Sequence, residues 1–400
     1  MTLLDRLRTL KPALIGAAIG GWVGIVCGLA SAGFLWSLDW ASHTREARPS
    51  LVYGLPFVGI AIVWGYRRFG EKLTTDLLLQ RVHDPDGELP VRMAPMVLLG
   101  TVVTHLFGGS AGREGTALQL GGSLGLAAVV PFKLSPAQKR LTLMAGLAGG
   151  FGSVFGTPLA GAVFGMEVLT IGRVDYDGLV PCLTASIVGD LVCRGLGIDH
   201  GVYRVAALGT PIELLVAVAV GAACAIGARG FVWGTERWNG LLKPLPWWAK
   251  PVIGGGIIVA STFVLGTRFL GLGLNLMPSA LSPEGSPFYD GPLKLLFTAI
   301  TLGSGFKGGE VTPLFVSGAA IGSWIGRIAH VLPDRLAAAG FVALFGAAAN
   351  VPVAAWLMAV ERFGAGVGGP AAVAVTVAYL VSGHRGIYHS QKVALRKTSA

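Results

Sequence analysis

The stretch GGSAGREGTALQLGG, residues 108–122, sets Arg113 beside Glu114 among glycines and hydroxyls, in a chain otherwise apolar enough for lipid. A carboxylate in apolar surroundings is costly to charge, so such residues are rare and usually functional. Gly112 and Gly115 flank the pair, where a helix built for stability would not place glycine. A helix starting around Thr116 would expose free N–H groups, and such an N-terminus binds anions through its amides and dipole. Glu114 is therefore read as a group that fills an anion site when ionised and vacates it when protonated. The competing reading is a plain Arg113–Glu114 salt bridge at a membrane face.

A second stretch, GFKGGEVTPLFVSG from Gly305, has the same grammar: two glycines, an acid, a hydroxyl, then a proline suited to a first helical turn. Matching Glu114 to Glu310 gives an offset of 196 and brings Thr116 onto Thr312 and Gly122 onto Gly318. FGSVFGTPLAGAVFGMEVL from Phe151 and FGAAANVPVAAWLMAVERF from Phe345 align at an offset of 194, with Pro158 on Pro352 and Glu167 on Glu361. Duplicated halves with Gly/Pro-interrupted segments at corresponding positions point to a transport site between repeats. Several half-helix N-termini aimed at one point would hold an anion without a fixed positive side chain. Thr312 can cap its helix, and Glu310 reads either as an ordinary first-turn acid or as a functional carboxylate. Tyr388, in SGHRGIYHSQ, is an interfacial-belt tyrosine or a hydroxyl donor to an anion. For His105, within an apolar run, a satisfied core position is preferred over a proton relay.

The elements that must position these residues are membrane helices. Of 400 residues, 53% are hydrophobic and 13% charged, with mean hydropathy +0.67; a soluble domain carries about 25% charged residues. The net charge of +10 is read through the positive-inside rule rather than as a nucleic-acid footprint. The basic ends MTLLDRLRTLK and HSQKVALRKTSA place both termini in the cytoplasm. The apolar run from Ala13 to Trp36 is too long for a signal-peptide core and is read as an uncleaved membrane helix. Cys27, Cys182, Cys193 and Cys224 are read as buried free thiols.

Spans are expected at 13–36, 51–66, 177–197, 211–233, 250–266 and 368–382. Shorter apolar pieces lie at 94–107, 116–130, 141–154, 158–171, 292–303, 313–327, 337–349 and 352–363. These fall below the roughly 20 residues of a perpendicular span, so they must be re-entrant, tilted or broken, with protein or an aqueous cavity satisfying the freed backbone. GSAGREGT lacks the Lys-Ser/Thr of a phosphate-binding loop, and HExxH, GxSxG and dinucleotide fingerprints are missing.

Between residues 65 and 390 the chain resembles the CLC family of anion channels and proton-coupled anion exchangers. GREGT is similar to the family's Gly-Arg/Lys-Glu-Gly-Pro motif, with Glu114 in the place of the external gating glutamate. GGEVTPLF stands where aromatic and backbone amides hold the central anion, and Tyr388 matches the tyrosine that coordinates it. The family's Gly-Ser-Gly-Ile-Pro stretch is absent; LTTDLLL takes its place, with Thr74 and Thr75 as candidates. Thr116 replaces the proline after the gating motif. Val168 stands where many exchangers carry an internal proton-accepting acid. These departures resemble the bacterial fluoride/proton antiporter branch, in which Glu310 and Thr312 would belong to the transport core. Fluoride, small and strongly hydrated, needs several donors to replace its water, and hydroxyls with backbone amides supply them.

The expectation is an all-α polytopic membrane protein of two homologous halves, 1–200 and 201–400, in one membrane domain without a cytoplasmic regulatory domain. Helix parity decides whether the halves are inverted, and inversion is expected. The expected function is proton-coupled anion antiport, exporting fluoride in exchange for protons, without enzymatic activity, cofactor, metal or nucleic acid. Glu114 and Glu310 would gate and transfer protons; Gly112, Arg113, Gly115, Thr116, Val311, Thr312, Tyr388 and Thr75 would line the anion site. By the resemblance the protein is a homodimer in a bacterial inner membrane. Chloride/proton antiport and a passive CLC-type channel use the same residues. A sodium-coupled solute transporter or an intramembrane enzyme would call for further buried carboxylates or a nucleophile–base pair.

Overall fold

Glycine and proline decide where the helices begin and end. The computed structural model describes residues 3–70, 73–203, 205 and 211–397, with side chains from Lys11 onward. Arg6, Arg8 and residues 398–400, which contribute to the expected cytoplasmic ends, lie outside the described side chains and residues.

The chain runs through α1 (Leu3–Ala47), α2 (Leu55–Phe69), α3 (Thr75–His83), α4 (Met93–Leu106), α5 (Glu114–Val129), α6 (Pro136–Phe155) and α7 (Pro158–Glu167). After β1 (Thr170–Ile171) come α8 (Leu179–Gly195), α9 (Pro211–Leu242), α10 (Ala249–Leu265), α11 (Met277–Ala280) and α12 (Asp290–Gly303). Then follow α13 (Val311–Ile328), α14 (Pro333–Ala349), α15 (Pro352–Phe363), α16 (Gly368–Val381) and β2 (Lys392–Val393). Each expected span and each expected short piece has its helix. Sequence reading missed α3 and α11, whose polar surroundings hide them. It also missed the parallel β1–β2 pair, which ties the C-terminal tail to the segment after α7. Six helical stretches among the described residues are long and apolar enough to cross a membrane, and the four cysteines are buried and free.

The corner between α6 and α7 recurs between α14 and α15. Gly156 (φ 67°) and Asn350 (φ 59°) close the first helix of each pair in the left-handed region, which glycine and asparagine tolerate best. Two residues later Pro158 and Pro352 start the next helix, where their missing N–H has no intrahelical partner to lose.

The helices of each half approach closely through small residues. A Cβ on Gly121 of α5 would strike the carbonyl oxygen of Gly146 in α6, and one on Gly318 of α13 would strike that of Gly340 in α14. Gly121 therefore corresponds to Gly318, an offset of 197 rather than the 196 expected.

α7 and α15 lie antiparallel. The carboxylate of Glu167, at the end of α7, accepts from the Val353 and Ala354 N–H groups at 3.0 and 2.8 Å. That of Glu361, near the end of α15, accepts from the Leu159 and Ala160 N–H groups at 2.9 and 2.8 Å. Each helix thus supplies acceptor oxygens to the unpaired amides at the other's N-terminus.

Candidate anion and proton site

α5 begins at Glu114, two residues before the expected start. Its approach loop meets the loop preceding α13 in an antiparallel bridge between Gly112 and Gly309. Gly112 N–H donates to the Gly309 carbonyl at 2.6 Å, and Gly309 N–H returns the bond at 2.9 Å. Two helix N-termini from opposite halves are thereby held side by side. A Cβ on Gly112 would sit 2.7 Å from a Glu114 carboxylate oxygen, and one on Gly309 would invade the same carboxylate. The glycines are there to make room for Glu114.

The Glu114 carboxylate is fully buried. Oε1 accepts from the Val311 N–H. Oε2 accepts from the Arg113 N–H at 2.9 Å, the Thr312 N–H at 3.1 Å and the Thr312 hydroxyl at 3.0 Å. Three amides and one hydroxyl therefore surround the carboxyl oxygens, and two of those amides belong to the start of α13. When Glu114 is ionised, such bonds are charge-assisted and of the strong class. The expectation that the helix carrying Glu114 offers its own amides is corrected: apart from the Arg113 N–H, the donors come from the opposite half. Antiparallel crossing of the loops aims α13, not α5, at the carboxylate.

The bridge also corrects the register of the echo. Arg113 and Glu310 are the two residues immediately before their helices, and Glu114 and Val311 the first residues within them. Glu310 is thus the backbone counterpart of Arg113, one position away from the acid-to-acid match.

The Arg113–Glu114 salt bridge does not form. The Arg113 guanidinium lies over the Phe155 ring, 5.5 Å from its centroid, with Nε buried and unpartnered. Thr116 turns its hydroxyl to that of Thr101 at 2.6 Å; it is buried against α4 and takes no part in the bonds to Glu114. Gly115 packs against Gly309, where an added Cβ would lie 3.2 Å from its Cα. Thr74 caps α3 through the Leu77 N–H, and the Thr75 hydroxyl accepts from Gln119 Nε2 at 3.1 Å.

Glu310 is half-buried and lies within electrostatic range of Glu114, Asp76 and His389. Tyr388 is 4% exposed, with its hydroxyl buried and unpartnered. It is no interfacial-belt residue: its ring packs edge-on against Phe164, and its hydroxyl is within range of Glu310 and Glu114. A buried hydroxyl without a partner costs about 1–3 kcal/mol, so this group is poised to donate. His105 is fully buried, its ring nitrogens 2.8 and 3.0 Å from the Thr101 and Ala111 carbonyl oxygens, a core position that pins the loop before Gly112. Lys294, which no sequence motif singles out, anchors that loop with Nζ donating to the Ser110 hydroxyl and the Phe269 and Gly271 carbonyls.

Cavities open at both ends of α15. One, about 570 Å³, is lined by Arg45, Arg113, His200 and Arg362 among others. The other, about 360 Å³, is lined by Glu236, Tyr388, His389 and Gln391 among others. Arg362 ends α15, whereas Gln391 holds Asn350 just before its start, so the cavities are separated by about 18 Å of helix. Among the described residues no cluster of potential metal ligands exists.

Residues 57–383 match the family described as voltage gated chloride channel. The chain is 43% identical over 394 residues to the chloride/fluoride channel protein of Pseudomonas syringae pv. tomato, covering 95% of this chain and 87% of that one. It is 27% identical over 402 aligned positions to the H(+)/Cl(-) exchange transporter ClcA of Yersinia pestis bv. Antiqua, covering 90% and 82%. The solved structure of a CLC-type fluoride/proton antiporter superposes with a TM-score of 0.90 at 28% identity, over 98% of this chain and all of that one.

Proposed function

Because the chain belongs to the voltage gated chloride channel (CLC) family, whose members here include multi-pass membrane transporters, we propose that it is a proton-coupled anion antiporter exporting fluoride in exchange for protons. The observation that carries this reading is the Glu114 carboxylate lodged on the Val311, Thr312 and Arg113 amides and the Thr312 hydroxyl. Ionised, Glu114 occupies the site as an anion would. Protonation removes the charge that those donors favour, so the neutral side chain leaves and a small anion takes the amides and the hydroxyl. One proton and one anion thus use the same place by turns.

Glu310 is the next acid along the path, taking the proton from Glu114, and Tyr388 supplies its hydroxyl to the anion as it arrives from the second cavity. Gly112, Gly115, Val311 and Thr312 form the backbone cradle. Arg113, facing the first cavity with Arg45 and Arg362, draws anions toward the mouth. Thr75 and Thr116 serve helix contacts rather than the anion. Fluoride is favoured over chloride because the donors are short, hard and closely set. It is also the anion named for the solved antiporter, and one of the two named for the Pseudomonas relative. The two halves, 1–200 and 201–400, form one membrane domain; two chains assemble as a homodimer in a bacterial inner membrane, without enzymatic activity.

Two further readings follow from the relatives: chloride/proton exchange, as the Yersinia protein's name states, and a channel, as the Pseudomonas protein's name states. Proteoliposomes loaded with fluoride or chloride, with proton movement recorded alongside, separate all three. Fluoride efflux with opposing proton influx supports antiport. Equal chloride and fluoride flux would sink the fluoride assignment, and anion flux without protons would leave a channel.

A further inference from the structure

Val168, directly after Glu167 at the end of α7, carries no titratable side chain. The Val168 side chain is buried, and its carbonyl oxygen is taken by Gln391 Nε2 at 2.8 Å, so that position offers protons nothing. The second cavity instead contains a titratable group suspended between two carboxylates. His389 Nδ1 lies 3.4 Å from Asp76 Oδ2 on α3, and its Nε2 lies 3.1 Å from Glu236 Oε1 on α9. Asp76 is held in turn by the Ser390 N–H at 2.9 Å. Three chain segments, from the start of α3, the end of α9 and the C-terminal tail, thus converge on one imidazole. Its side chain remains 61% exposed to the cavity.

Resting on the antiport reading, we propose that His389, set between Asp76 and Glu236, is the group that exchanges the coupled proton between Glu310 and the cytoplasm. When transport runs toward export, the imidazolium first gives its proton to water at the cavity. The neutral ring then accepts the proton of Glu310, leaving that carboxylate ionised, so charge and protons balance. Driven the other way, the same steps reverse.

A second observation points inward from the same cavity. Tyr388, the preceding residue, also lines this cavity and has its buried hydroxyl unpartnered and within electrostatic range of Glu310, Glu114 and Asp76. The charged or titratable groups lining this cavity besides His389 are Glu236, Tyr388, His384 and Arg385; Asp76 meets the imidazole from α3, and Glu310 lies within electrostatic range of it. His389 lies beyond the last membrane helix, and the hydrogen bond to Asp76, with that to Glu236, raises its pKa to about 9, against a lesser opposing effect of burial. Removing Asp76 must therefore lower it.

The test uses full-length protein in proteoliposomes, following fluoride and protons while the pH on the second-cavity face is stepped from 6 to 10. His389→Asn should cut coupled proton flux roughly tenfold or more while fluoride binding, measured by titration calorimetry, stays within about twofold of wild type. Asp76→Asn should shift the inflection of proton flux to lower pH on that face only, a readout that a structural role would not move. Should His389→Asn fail to fold, Glu236→Gln, which removes the other carboxylate, must shift the inflection in the same direction. Wild-type coupling and an unchanged profile in these variants would overturn the proposal alone. Fluoride flux without protons in the wild type would overturn it together with the antiport reading.

Discussion

Glu167 and Glu361 each cap the helix that carries the other. Glu167 ends α7 and accepts from the first amides of α15, while Glu361 near the end of α15 accepts from the first amides of α7. The relationship needs two antiparallel helices of equal construction, each opening on a proline and closing on an acid. It is the packing counterpart of the Gly112–Gly309 bridge, which brings together the other two duplicated starts.

Glu167 is 5% exposed, so replacing it strands the buried Ala354 amide and the part-buried Val353 amide at the start of α15. Glu167→Ala should destabilise the protein by about 2–4 kcal/mol, read as a lower Tm in detergent. Glu167→Gln, which keeps one acceptor, should fall between. An unchanged Tm in the alanine variant would show that water replaces the carboxylate at no cost.

Glu114→Gln cannot ionise and should lower proton counterflow by about 10²-fold or more. The amide side chain can still reach the Thr312 hydroxyl, so Tm should change little. Proton coupling that persists at the wild-type ratio would remove Glu114 from the proposed mechanism.

Thr312→Val keeps the shape of the side chain and deletes one donor to the site. A hydrogen bond to a charged group contributes about 1.5–3 kcal/mol, so fluoride affinity should fall roughly 10- to 100-fold by titration calorimetry. An unchanged Kd would mean that the backbone amides alone hold the anion.

Tyr388→Phe separates stability from binding. Its hydroxyl has no partner in this structure, so Tm should hold or rise slightly, while fluoride affinity drops by about tenfold if the hydroxyl meets the anion. A fall in Tm with unchanged affinity would make it a packing residue.

The C-terminal tail should loosen in alkali. The pKa of His389 is raised from 6.5 to about 9, first by its hydrogen bond to Asp76. The stabilisation is therefore fully present below pH 6.5 and lost as pH rises through about 9. Hydrogen exchange of residues 384–393 should accelerate over that window, and His389→Ala should exchange fast throughout; a flat wild-type profile would exclude the ion pair as the tail's anchor.

Where the helices lie was almost entirely legible in the chain. Apolar runs, broken at Gly156–Pro158 and Asn350–Pro352, mark the membrane segments because lipid leaves a backbone little choice but helix. The duplicated motifs around Glu114 and Glu310, and around Glu167 and Glu361, were visible as repeats. What misled was matching by residue type. Acid was set against acid at an offset of 196, whereas the backbone pairs Arg113 with Glu310 and Glu114 with Val311.

The sequence by itself determined that a carboxylate would sit at a glycine-loosened break within an apolar protein, since that depends only on local composition. The tertiary structure decided which donors it meets. Glu114 takes amides from Val311 and Thr312, nearly two hundred residues away, and Thr116 spends its hydroxyl on Thr101. It also suspended His389 between Asp76 and Glu236, from three separate parts of the chain. Hydrogen bonds act over about 3 Å, so partners are chosen by how distant segments cross, and local patterning carries no record of that crossing.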